Sequence, residues 1–492
     1  MAAPVLVGAF AAVLRLIWVA VASREPLGVS DPLIYLHSGS SIAAGDGYTS
    51  LLGNPTAYYP PGYPFFVGAV ERVATAFGLA DHRVLVIGLV QALLGGVACG
   101  ALVVAGRQLA PSGATWRGGR DLGTAIGVGA GLLLALWPNL VLHTAVVLSE
   151  TLFLACLCTL LAALFTWTAA RTSNPASTDP TSTAPASTDP ASTDPIGPTR
   201  LSAVLVVVST ALCVWIRPQS TLVLVPAVAL AWLVAGRGLR DSLRVGGLLV
   251  VGVLVAVLPW TVRNLVVMDA FVPLSTNTGD NLCIGFHDGA KGGFAFPEAC
   301  GTGQRYVDGV DVEVERDAEL RGRALDWIVE HPGSLPGLTW GKLRATFDGD
   351  HDGLRAWESY GQDPHLSDGL RTGLRWLSDV YYWVVSLAAI AGAALVVRDR
   401  WSGRRGVADR STLVGLSTVA IALGCIAVPA LSFGDQRFKI PITAALALLA
   451  ASAVARATRA PGAADDESHD APGEVDAAAP STVSTLDPGA VS

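Results

Sequence analysis

Asp31 stands just past the first apolar run, in the polar stretch SDPLIYLHSGSSIAAGDGYTSLLGNPTAYYPPGYP. Charge at a membrane boundary is costly unless it serves topology, structure or chemistry. The chemistry open to this carboxylate is general-base catalysis, taking a proton from an acceptor hydroxyl. A structural job is open as well: Ser30 or Asp31 followed by Pro32 is how a helix N-terminus is written, a cap and then proline in the first turn. The two jobs are compatible, because a cap leaves one carboxylate oxygen free. Arg217, Arg263 and Arg437 form a second constellation at expected outer helix ends, with Lys439 nearby. Snorkelling would account for one or two of them. Together they suggest an anion at the outer membrane surface, and a guanidinium suits a phosphate. Glu150, with His143 close by, is a site candidate or the ion-pair partner of one of these arginines. Tyr35, Tyr59 and Tyr63 are supporting candidates. Residues 58–64 read as a rigid corner returning the chain to the membrane, with Pro61-Gly62 suited to a type II turn. His37, His143, His287 and His351 lack paired-ligand spacing, so neither a metal nor another cofactor is assigned, and a divalent ion has no support.

These groups need a scaffold, and composition names its class. Of 492 residues, 51% are hydrophobic and 15% charged, too apolar for a soluble chain of this length. Apolar runs recur near the ~20 residues a helix needs to cross a bilayer. They fall near 3–22, 83–106, 122–140, 144–170, 201–216, 218–236, 245–262, 379–397, 411–431 and 438–455. The run 63–79 carries Glu71 and Arg72 at its centre, which favours a re-entrant or interfacial helix. The expected fold is therefore an all-α polytopic membrane protein with about ten or eleven transmembrane helices.

Lys and Arg set the orientation. Arg107, Arg117 and Arg120 share one loop, Arg237, Arg240 and Arg244 another, and Arg398, Arg400, Arg404, Arg405 and Arg410 a third. Arg456 and Arg459 follow the last span. With both termini cytoplasmic, all four clusters lie inside. As one helix, 201–236 would be about 54 Å long, so it must split at Arg217-Pro218 for this parity to hold. The expected organisation is a transmembrane module 1–173 containing an outer loop 23–82, and a Pro/Ser/Thr-rich cytoplasmic linker 174–200 built from PASTDP-like repeats. Helices 201–262, an extracytoplasmic segment 263–378, helices 379–455 and an acidic disordered tail 456–492 complete it. The first apolar run is long enough to stay as an anchor. Cys283 and Cys300 lie outside the apolar spans on the face where thiols oxidise, and spacing alone leaves their pairing open.

The loop quoted above resembles the first outer loop of polyprenyl-phosphate-dependent glycosyltransferases with the GT-C fold, the protein mannosyltransferase and aminoarabinose-transferase relatives. LPWTVRNLVVMDAFVPLSTNTGDNLCIGFHDGAKGGF resembles their segment after the middle spans, FGDQRFKIP their approach to the last core helix, and WPNLVLHTAVVLSETLF with Arg217-Pro218 the spans between. The resemblance implies Asp31 as catalytic base, Arg263 and Arg437 as holders of a lipid-linked phosphate, and a supporting role for Glu150. Many members carry a second acid beside the base, where this chain has Pro32. Their large extra C-terminal soluble domain has no counterpart. The implied reaction is inverting transfer of a sugar from a polyprenyl-phosphate donor to a hydroxyl on a protein, glycolipid or cell-wall glycan at the outer face of the cell membrane. No nucleic-acid partner is expected. Two other classes use the same residues: a transporter or flippase of a lipid-linked or anionic solute, and a catalytically inactive scaffold. Transporters tend to show two similar halves with midplane sites, whereas here no half-to-half similarity is seen and the candidates gather at one face.

Overall fold

A computed structural model describes residues 2–172, 198–295, 297–301, 310–402 and 409–459. The linker expected over 174–200 falls outside these apart from its last three residues, and the expected tail falls outside from residue 460 onward. The first half of the chain contains α1 (Ala2–Ala22), α2 (Asp31–Ala44), α3 (Gly62–Ala76), α4 (Arg83–Gly106), α5 (Leu122–Ala135), α6 (Pro138–His143), α7 (Glu150–Thr172), α8 (Pro198–Ile216) and α9 (Pro218–Val234). The second half contains α10 (Gly238–Met268), α11 (Thr278–Gly285), α12 (Val310–Glu330), α13 (Leu335–Phe347), α14 (Asp352–Trp357), α15 (Asp368–Trp401), α16 (Arg410–Ala427) and α17 (Ile440–Ala457). Among the described residues there is no strand, only isolated bridges.

Among the described residues seven helices, α1, α4, α7, α10, α15, α16 and α17, are long and apolar enough to cross a membrane, and α5, α8 and α9 are shorter apolar helices. The fold is an all-α polytopic membrane architecture. One row runs α1, α4, α7, α8, α10; in a second, α17 packs between α5, α15 and α16, and α16 leans on α9. α7 and α17 are the most enclosed, α1 and α15 the most exposed.

Two expected spans are cut short. The run 122–140 stops as a helix at Ala135, making α5 about 21 Å long. Its last carbonyls are not stranded, because the buried Arg15 of α1 donates to Leu134 O (3.2 Å) and Ala135 O (3.1 Å). The run 144–170 becomes helical only at Glu150. Before it, Gln91 of α4 donates to Thr144 O (3.0 Å) and to Val146 O (2.9 Å), the latter also accepting from the Leu148 N–H, so the backbone of the break is paired within the apolar interior. The non-helical stretch 144–149 between α6 and α7 lets Glu150 begin a helix with its side chain buried.

The split between α8 and α9 falls at Arg217, whose backbone leaves the helical region before Pro218 opens the next helix. The turn at Pro61-Gly62 differs from expectation. Pro61 is αR and Gly62 is the first residue of α3, so no type II turn forms. Glycine is needed for another reason: a Cβ there would lie 2.9 Å from the Trp215 carbonyl, where α3 meets α8.

The segment after α10 packs on the first loop at one end of the bundle. Glu313 of α12 accepts from the Thr56 hydroxyl (2.6 Å), the Ala57 N–H (2.9 Å) and the Thr276 hydroxyl (2.5 Å). Cys283 and Cys300 are joined as a disulfide that ties α11 to the following turn. The basic loops meet at the other end, where Arg410 donates to Ala110 O, Arg400 to Val234 O and Arg456 to Asp399.

Candidate active site

Asp31 is the first residue of α2, and Ser30 occupies the cap position in extended conformation without a side-chain cap bond. Ser30 therefore does not cap the helix through its side chain. The Asp31 carboxylate is instead spent on tertiary partners: the Tyr59 hydroxyl donates to Oδ1 (2.6 Å) and Arg437 Nη1 to Oδ2 (2.7 Å). Tyr59 comes from the proline-rich corner and Arg437 from the turn before α17, so two distant segments fix one carboxyl. Tyr35 stacks on Tyr59 with ring centroids 4.8 Å apart. Tyr63 lies deeper and donates to Gln91 Oε1 (2.8 Å), which makes it part of the scaffold.

Arg437 is held in turn by Asp435, whose carboxylate accepts the Arg437 backbone N–H (2.8 Å) and lies 3.5 Å from Nε. Asp352 Oδ2 approaches the same Nε at 3.9 Å. Arg217 donates to Glu150, to the Ser149 hydroxyl (3.2 Å) and to the Arg437 carbonyl (3.3 Å). The two arginines are therefore neighbours, and Glu150 is the buried counter-ion of one of them rather than a cavity group.

The Asp31 carboxylate, Tyr35, Tyr59, Arg217 and Arg437 open onto a cavity of about 510 Å³. Its opposite wall is polar and comes from the segment after α10: Ser275, Asn277, Asn281 and, from α12, Arg321. Its remaining side is apolar, with Ile216, Leu222, Leu282, Val428, Leu431 and Phe433. Leu222 and Leu431 are 48% and 61% exposed, which places an open apolar lip between α9 and the end of α16. A larger hollow, about 690 Å³ between α5 and α17, is almost wholly apolar and offers no comparable chemistry.

Arg263 does not reach this cavity. It donates to Thr56 O (2.9 Å) and Asn264 Oδ1 (2.9 Å), and its guanidinium lies 4.8 Å from the Trp260 ring centroid. The phosphate-holding role expected for it is not what its geometry provides; it anchors the loop between α2 and α3 to α10. Arg321 and Asp352 were missed. Arg321 sits in the charged run ERDAELRGR, which reads as a solvated helix face, and Asp352 in DGDHDG, which reads as a turn.

Behind Arg437 lies a second layer. Asp352 is buried on α14, and His143 Nε2 of α6 is 3.8 Å from its Oδ2. Glycine at 353 permits this approach, since a Cβ there would meet the His143 ring and Asn139 O. Burial and then the charge of Asp435 push the Asp352 carboxyl up to about 6, against the pull of Arg437, His143 and Arg355. Nearby, the Asp350 carboxylate accepts from Trp137 Nε1 (2.6 Å) and Asn139 Nδ2 (2.8 Å) and lies 3.2 Å from Lys439 Nζ. Lys439 is thus a buried structural cation. Among the described residues no cluster of His, Cys, Asp and Glu has the makings of a metal site.

No protein-family model and no curated protein matches the chain. Among solved structures it is similar to the Archaeoglobus fulgidus oligosaccharyltransferase in its apo form, at 12% identity over 92% of this chain and 50% of that one, TM-score 0.49. It is also similar to ArnT from Cupriavidus metallidurans bound to undecaprenyl phosphate, at 16% identity over 92% of this chain and 77% of that one, TM-score 0.39. The apo form of the same ArnT gives 17% identity over 93% and 78%, TM-score 0.38. The chain spans half the length of the oligosaccharyltransferase.

Proposed function

We propose that this chain is a GT-C-type integral membrane glycosyltransferase that moves a sugar from a polyprenyl-phosphate donor to an acceptor hydroxyl at the outer face of the membrane. One observation carries the proposal: a single cavity joins a carboxylate, two neighbouring guanidiniums and an apolar lip. Those are the three things the reaction requires. The lip between α9 and α16 accommodates the isoprenoid tail. Arg437 and Arg217 lie where the departing phosphate gains charge, and preorganised cations stabilise most where charge develops. Asp31, held in place by Tyr59 and Arg437, takes the proton of the incoming hydroxyl while that oxygen attacks the anomeric carbon from the side opposite the phosphate. The bond to phosphate breaks as the new glycosidic bond forms, so configuration inverts through an oxocarbenium-like transition state. Asn277, Asn281 and Arg321 on the facing wall offer donors and acceptors to sugar or acceptor hydroxyls.

The test reconstitutes the full chain in proteoliposomes with a panel of radiolabelled polyprenyl-phosphate sugars and candidate acceptors. The enzyme reading expects labelled product together with free polyprenyl phosphate. Intact donor crossing the bilayer, with no product, would establish the transporter reading instead. Neither product nor crossing with any donor in the panel would leave the scaffold reading.

A further inference from the structure

The cavity poses an electrostatic problem for an anionic ligand. Among the described residues around its Asp31 end, four carboxylates, Asp31, Glu150, Asp352 and Asp435, outnumber three guanidiniums, Arg217, Arg437 and, 4.0 Å from Asp352, Arg355. A phosphate entering there meets net negative charge, which opposes binding. The geometry also contains the means of relief. Asp352 Oδ2, His143 Nε2 and Arg437 Nε are buried and have no hydrogen-bond partner among the described residues. They face one another at 3.8 and 3.9 Å, and because His143 Nδ1 donates to the Asn139 carbonyl (2.8 Å), a neutral His143 turns an acceptor nitrogen toward the acceptor Asp352 Oδ2, a gap that one proton would bridge. Unsatisfied buried polar atoms are expensive, and three at one point call for an explanation.

We propose that the anionic ligand of this cavity binds together with one proton, which lodges on the His143–Asp352 pair behind Arg437. The proton comes from solvent and no covalent bond to carbon or phosphorus changes. With the pair protonated, Asp352 stops competing for the Arg437 guanidinium, and the local charge becomes one unit less negative as the phosphate arrives. The groups that face Asp352 support this assignment. His143 approaches from α6, Arg437 and Asp435 from the turn before α17, Arg355 from α14 itself, and Tyr360 from the turn after it. His351 beside it is occupied by Asp379 of α15 at 2.9 Å. The Asp352 carboxyl, pushed up to about 6, changes charge close to neutrality, where such coupling can act. Asp352 and His143 are thus positioning residues, acting on the ligand through Arg437.

This inference rests on the phosphate reading of the cavity, and one experiment separates the two. Binding of farnesyl methyl phosphate, a phosphodiester whose single charge does not titrate near neutrality, is followed by calorimetry on the full detergent-solubilised chain. Two buffers of different ionisation enthalpy at each pH give the protons exchanged. Wild type is expected to take up close to one proton per ligand near neutrality, with Kd rising by up to about tenfold per pH unit as pH climbs above neutrality. Asp352→Asn should bind with little uptake and a flat pH profile, whereas a merely structural role would weaken binding without changing its pH dependence. Binding by wild type with no proton exchange overturns the inference and spares the phosphate reading. So does undiminished uptake in Asp352→Asn, which would move the proton elsewhere, for instance to Asp317 beside Arg321. No binding at any pH removes the phosphate reading, and the proton coupling with it. The wild-type measurement decides alone if the variant does not fold.

Discussion

Arg437 has to serve two masters, since its Nη1 belongs to Asp31 while the rest of the guanidinium faces the cavity and two further carboxylates. That sharing demands the planar fork of arginine rather than a point charge. Arg437→Lys should therefore keep the charge yet lose turnover by about 10- to 100-fold, as misplacement near a reacting centre does. Steady-state kinetics would show the loss in kcat more than in donor KM. Arg263 is the contrasting case, spent on Thr56 O and Tyr48 O at the base of the loop. Arg263→Ala should lower Tm while leaving donor KM within about twofold, because buried carbonyls lose donors but the phosphate loses nothing. A large rise in donor KM would restore it to the site. Sequence could single out both arginines as cations at helix ends away from the basic loops. It could not say which way either points, because direction depends on partners more than a hundred positions away.

The elements that carry the site end where their polar groups find partners. α5 stops where Arg15 serves its carbonyls, α7 starts after the stretch served by Gln91, and the start of α2 is tied down by the Tyr59 and Arg437 bonds to Asp31. Hydropathy alone runs through the first two breaks, which is why the runs 122–140 and 144–170 look continuous. The break at Arg217-Pro218 was legible, because proline at a helix start is a local signal. The turn between α14 and α15 depends on one acid. Glu358 accepts the N–H groups of His365 (2.8 Å) and Leu366 (3.0 Å) and pairs with Arg371 at 2.7 Å. Its carboxyl is held down at about 2, chiefly by the Arg371 hydrogen bond. A depressed folded-state value means its stabilisation is present above the unfolded value near 4.5 and is lost as pH falls through about 2. Glu358→Gln should accordingly lower Tm at pH 7, by an amount that shrinks toward nothing as pH approaches 2. A Tm difference independent of pH would contradict this account of the turn.

At the scale of the whole molecule, the fold class was written in composition and in the spacing of apolar runs. The gathering of basic loops at one end follows from the same charge pattern that placed Asp31 and the misplaced arginines at the other. What the sequence withheld was the second wall. Arg321, Asn277 and Asn281 come from a polar segment whose folding onto the first loop depends on the Glu313 contacts and on α11, and nothing local announces that meeting. Pro32 stands where the resemblance would place a second acid, and Asp352 and Asp435 reach the Arg437 guanidinium from other elements. The account stands on Asp31 acting as base beside two guanidiniums, and the most direct test compares wild type with Asp31→Asn for the initial rate of polyprenyl phosphate release from its sugar donor in the presence of acceptor. The account predicts a rate lower by about 100-fold or more, in the range expected for loss of a general base, with folding and donor binding retained. Release that continues unchanged in Asp31→Asn would contradict it.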